Sequence, residues 1–128
     1  MIDPGREELK HSFFEHSKAA QTGNSSSHFL LLFYAVESGL KACILKSYRK
    51  IKISQIKEED IKTHDLALLA DKLRWRIEAM TFRLQSGSAR SIGDAHQAWR
   101  YGVSIDGDDE IKVIEWLKGL QKKIKEEI

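Results

Sequence analysis

The side chains best suited to chemistry in this sequence are arginines and histidines in its second half. Arg74, Arg76, Arg83, Arg90 and Arg100 carry guanidinium groups, whose planar fork grips phosphate oxygens in pairs. They form a candidate phosphate-binding set, diluted by the acids between them. His96 and Arg100 stand four apart, one turn along a helix face, where a surface or interface polar pair is the plain outcome. His64 and Asp65 open a helix; the aspartate suits the positive end of the helix dipole and the histidine can simply face water. A histidine can pass a proton near neutral pH, and an arginine can hold negative charge as it develops on a phosphate. Arg90 and His96, in R-S-I-G-D-A-H, put both groups in one segment. On a straight helix they would point roughly 120° apart, so Gly93 must break the helix, or a dimer must bring them together, before they can act jointly.

Other chemistries lack their residues. His11, His16 and His28 fall at irregular spacing, and no H-E-x-x-H is present. Cys43 is the single cysteine, so an internal disulfide and a thiolate zinc site are both excluded, and no metal or cofactor is expected. There is no P-loop, G-x-G-x-x-G or nucleophile elbow. Trp75, Trp99 and Trp116 lie beside helical apolar positions and read as core or interface anchors rather than stacking platforms for bases. A net charge of +2 is too small to argue for nucleic acid by itself.

The elements that must hold these groups read as all-α. The 128 residues suit one domain, 1–128, with one core, and the only proline is Pro4. Asp3 and Pro4 fit a helix start, and the first helix is expected from about Pro4 to Gln21, with Leu9, Phe13 and Ala20 along its stripe. Ser27 is the expected cap of a second helix that is apolar around most of its circumference and therefore central. Phe29 to Leu45 is interrupted by Glu37, Ser38 and Lys41 and does not read as a membrane span; Glu37 and Lys41, four apart, can pair on one face. Residues 51–60 read as a connector. Thr63 or Asp60 caps a third long amphipathic helix through Leu66, Leu69, Ala70 and Leu73, followed by Trp75 and Ile77. A further helical segment holds Met80, Phe82 and Leu84. DAHQAWRYGV reads as a short helix, and Asp108 caps a last one lined by Ile114, Leu117, Ile124 and Ile128, with Lys118, Lys122, Lys123 and Glu126 in water. The N-terminus lacks the basic-then-apolar pattern of a signal peptide, and a cytoplasmic location is expected.

Three segments in this order, HFLLLFYAVESGLKACIL, HDLALLADKL and AHQAWRYG, resemble the HEPN family of small helical proteins; with the first helix they cover nearly the whole chain. The resemblance implies an up-and-down bundle of four main helices plus a short extra helix, often paired into homodimers. Many HEPN proteins are metal-independent RNases whose R-x4-6-H residues meet across a dimer. Arg90 and His96 have that spacing, and Ser91 supplies the polar residue that usually follows the arginine. In this alternative His96 would exchange protons with the 2′-hydroxyl or the leaving oxygen, with Arg90 on the phosphate and Arg83 or Arg100 assisting.

The same segment also matches a second HEPN pattern, in which an aromatic residue precedes R-Y by three intervening positions and the catalytic pair is missing. His96 then takes the aromatic's place before Arg100 and Tyr101, and the HDL of His64, Asp65 and Leu66 accompanies this class. Its members are read as partners of nucleotidyltransferases or as binding modules. The leading expectation is therefore a module that associates with itself or with a protein such as a nucleotidyltransferase-type antitoxin, inside a prokaryotic defence or toxin–antitoxin system. Arg83, Arg100, Tyr101, His64 and Asp65 are its candidate RNA- or partner-binding residues. RNA binding without cleavage is a further alternative, resting on the scattered arginines.

Overall fold

Twenty-two consecutive residues, Ser26–Ser47 (α2), form the helix against which most other elements pack. The computed structural model describes residues 2–128. Leu32, Phe33, Ala35, Val36, Leu40 and Ile44 are among the buried residues of α2, on several sides of its axis. Such a helix is satisfied only when neighbours surround it. By length and composition alone α2 could cross a membrane, so Glu37 and Lys41 do not disqualify it as the sequence suggested. Here its apolar side chains face other parts of the chain. Cys43 lies in this helix, and burial pushes its thiol pKa up to about 11. The cap is Ser25 rather than Ser27, with the His28 ring 2.7 Å from the Ser25 hydroxyl.

The first helix, α1, spans Arg6–Ala20 and buries Leu9, Phe13 and Ser17 against α2. Its cap is Gly5, whose N–H donates to Glu8 Oε1 at 3.1 Å. Asp3 is engaged elsewhere, because its carboxylate accepts from the Ser54 N–H at 3.0 Å and the Ser54 hydroxyl at 2.6 Å, tying the N-terminal strap to the connector. At the centre of the packing, Gly39 lets the Phe13 ring and the Ile124 side chain close over α2.

The connector holds the single turn α3, Glu58–Ile61, and leads to α4, Leu66–Lys72. The third helix is thus seven residues, far shorter than expected. Asp65 caps it by accepting the Leu68 N–H at 3.2 Å, and Thr63 Oγ1 accepts the Asp65 N–H at 3.0 Å. Arg74 turns the chain in the left-handed region at φ 59°, which leaves Trp75 and Ile77 beyond the helix end.

The expected helix through Met80, Phe82 and Leu84 is instead a strand. Thr81–Arg83 (β1) pairs antiparallel with Ala89–Ser91 (β2), Phe82 opposite Arg90. Apolar residues at every second position suit a strand, and Gly87, at φ 93°, allows the reversal. After a turn over Ile92–Asp94 the chain forms α5, Ala95–Tyr101, ended by Gly102 at φ 70°. The last helix, α6, spans Gly107–Glu127 and buries Val113, Leu117, Leu120 and Ile124, largely the expected face. Asp106 caps it by accepting the Asp109 N–H, with Asp108 in the first turn. The described residues are therefore mainly helical, with three long helices, three short ones and one small hairpin.

Candidate functional site

The α5 sequence A-H-Q-A-W-R-Y places His96 and Arg100 on the face turned toward α2. Ala95, Ala98 and Trp99 are buried, and Trp99 donates its indole N–H to Glu110 at 3.1 Å. That anchorage fixes the helix and so aims His96. The imidazole is 3% exposed, with its ring centre 4.9 Å from that of Phe33 and 4.4 Å from that of His64. His64 Nδ1 lies 2.5 Å from Glu37 Oε1, and Lys41 Nζ is 3.8 Å from the same carboxylate. One turn further along α5, Arg100 donates to the Tyr34 hydroxyl, and its guanidinium carbon stands 5.7 Å from the Tyr34 ring and 5.9 Å from the Tyr101 ring.

Two segments far apart in sequence, the start of α4 and the start of α5, are thereby joined over one face of α2. Gly93 helps: a Cβ there would come within 3.3 Å of the His64 carbonyl oxygen. His64, His96 and Arg100 gather at this face, while Asp65, next to His64, serves as the α4 cap. Tyr101, 69% exposed, is reached only through Arg100 and is turned toward the other side of α5.

Arg90 belongs elsewhere. It lies exposed on β2 and, with Asp94, Gln97 and Tyr101, lines a separate groove of about 220 Å³ that excludes His96. The strand and turn preceding α5 separate the two residues that the spacing suggested as a pair, and on α5 itself Gln97 and Tyr101 project to a different side from His96. Arg83 is committed to Asp109, Nε to Oδ2 at 3.3 Å, and its backbone N–H donates to the same oxygen at 2.8 Å. These bonds hold the Asp109 carboxyl below its usual range. Among the described residues no three His, Cys, Asp or Glu side chains converge as metal ligands would.

Phe33, Tyr34 and Glu37 are functional neighbours that the sequence does not single out. Read linearly, Glu37 is only the partner of Lys41. Yet Phe33 and Glu37 share a face at i, i+4, and that face is the one the histidines reach.

Burial, reinforced by the neighbouring His64 and only partly offset by the Gly93 backbone and Glu37, holds the His96 pKa below its ordinary 6.5. Near as the Gly93 backbone is, Nδ1 makes no well-formed hydrogen bond among the described residues. Because the folded-state pKa is the lower one, the unfolded chain binds the extra proton first as pH falls. The stabilising contribution of neutral His96 is thus complete above pH 6.5 and is lost below it, down to the folded pKa. His96→Phe keeps a ring on Phe33 and cannot titrate. Urea midpoints between about pH 7.5 and 5.5 should fall for the parent and flatten in the variant; parallel profiles would show that His96 is not the source.

Comparison with protein-family models, with curated proteins and with solved structures finds none that matches this chain.

Proposed function

We propose that this chain is a HEPN-like helical module that acts by association, with a second copy or with a protein such as a nucleotidyltransferase-type antitoxin in a prokaryotic defence or toxin–antitoxin setting. The observation that carries this reading is the division of the arginine–histidine pair: His96 is sealed against Phe33 and His64, while Arg90 lines another groove. What remains open at the end of α5 is an arginine and a tyrosine, Arg100 and Tyr101, adjacent in the chain and of types enriched at the energetic centres of interfaces. Two of the segments on which the resemblance rests touch nearby, His64 of HDL against His96 of A-H-Q-A-W-R-Y.

Sedimentation over a range of concentrations, alone and with a candidate nucleotidyltransferase partner, tests it. A dimer or a heterocomplex is expected, weakened about tenfold by Tyr101→Ala, a loss of roughly 1.4 kcal/mol. A monomer at every concentration that binds no such partner would sink the reading.

A second reading, metal-independent RNA cleavage by Arg90 and His96, draws on the two adjacent histidines beside Glu37, a group able to take and return protons. It requires a second copy to bring an arginine to the histidines. Incubating mixed RNA with the protein in EDTA, beside a His96→Ala variant of checked helicity, decides: cleavage lost in the folded variant would replace the association reading.

A further inference from the structure

α1 and α6 both lie along α2 yet have little direct contact with each other. Between them runs a groove of about 490 Å³. Phe13 and Phe14 form part of its lining, and Phe14 is 42% exposed. A second depression of about 240 Å³ continues it past Ser17 and Gln21 toward Phe29, Leu32 and Ile114. From Ile114 to Lys125 the trough follows α6 for about eleven residues, about 16 Å or roughly three helical turns. Its position is where one more helix would complete the layer over α2.

Charge and polarity describe the missing occupant. Lys18 stands on one side and Lys118, Lys122 and Lys125 on the other, against the single acid Glu15. None of the four lysines has an acid within 4.0 Å among the described residues. On the groove wall Ser17 is 9% exposed, and its hydroxyl has no hydrogen-bond partner among the described residues. A buried hydroxyl without a partner carries a penalty that an incoming polar group would relieve, and a side chain this small lets another backbone approach closely.

We infer that this groove receives an acidic amphipathic helix of a partner protein, about three turns long, with its apolar stripe on Phe14, Phe29 and Ile114 and its carboxylates against the four lysines. This is the helix-in-groove mode of recognition. It rests on the reading of the chain as an association module and names a partner chemistry for a face distinct from Arg100 and Tyr101. A second copy is disfavoured, because two-fold packing would set the α6 lysines against their equivalents. Nucleic acid is disfavoured by the absence of arginine from the groove lining, since arginine is the better two-pronged phosphate ligand.

The test uses the full chain and a fluorescein-labelled, helix-forming peptide of about fourteen residues, leucines at i, i+3, i+4 spacing and glutamates flanking them. A scrambled peptide of equal charge and a short single-stranded RNA serve as competitors. Saturable binding is expected, weakened about tenfold or more by the double change Lys118→Glu with Lys122→Glu. The same loss is expected from Ser17→Leu, which fills the groove without altering charge; both variants are checked for helicity. Absent binding at about 1 mM peptide, equal binding of the scrambled peptide, or indifference to Ser17→Leu would each overturn the proposal. So would displacement of the peptide by RNA at lower concentration. Sedimentation of the lysine variant separates the two levels: association retained through Tyr101 while the groove binds nothing removes this inference alone.

Discussion

Gly39→Val is expected to destabilise the fold by on the order of 3 kcal/mol, the upper part of the range for overfilling a packed core. An ideal Cβ at this position would lie 2.6 Å from Ile124 Cγ2 and 2.6 Å from Phe13 Cδ1. Neither neighbour is the free end of a surface side chain: Phe13 is 1% exposed and Ile124 fully buried. Relief therefore requires α1 or α6 to shift. Gly39→Ala adds one carbon and gains roughly 1 kcal/mol of helix propensity, so its net loss should be smaller. Valine adds three carbons and has weaker propensity. Denaturant midpoints of both variants would settle the ordering; a valine variant as stable as the parent would mean that the three helices meet less tightly than described. The same variant should disturb the α1–α6 groove, whose Phe13 lining rests on this contact.

Phe82→Ala is the second large effect, with a loss of about 3–5 kcal/mol, the usual range for deleting a buried phenyl ring. Phe82 is 2% exposed, whereas the other residues of both strands are exposed. An isolated two-stranded hairpin is marginal in water, so this ring supplies the apolar part of the hairpin's attachment, beside the bonds of Arg83 to Asp106 and Asp109. Hydrogen exchange should locate the damage. The Leu84 N–H, bonded to the Ser88 carbonyl, and the Ile92 N–H, bonded to that of Met80, should lose protection well before amides in α2. Uniform loss across the molecule would show instead that the hairpin and the helices unfold as one unit.

The hairpin is also the element least legible in the sequence, though its signal is present. Met80, Phe82 and Leu84 alternate, and Gly87 follows at the distance a reversal needs. A helical expectation arises there from extending the preceding helical pattern past Leu73, where Arg74 in fact turns the chain. Long helices are easier to read, because α2 is apolar over many consecutive turns and α6 repeats its buried face through Val113, Leu117, Leu120 and Ile124. The starts of α2 and α6 lie at Ser25 and Asp106 rather than at Ser27 and Asp108, since each cap stands near another oxygen-bearing residue of equal aptitude. At the candidate site the residue types are visible in the sequence and their assembly is not. His64 and His96 meet only because α4 and α5 both pack on α2, a relation with no local signature, whereas Arg90 and His96 have suggestive spacing and are parted by a strand and a turn.

Cys43 gives the chain an internal clock. With a pKa near 11, only about one thiol in a thousand would be ionised at about pH 8, and the side chain is 4% exposed at the floor of a depression lined by Lys46, Ser47, Leu73, Trp75 and Glu127. An alkylating reagent must wait for that lining to part. In the regime where closing outruns reaction, the labelling rate reads out the opening equilibrium. The single thiol can therefore report how often the packing between the end of α2 and the segment after α4 is breached, in native buffer and without denaturant.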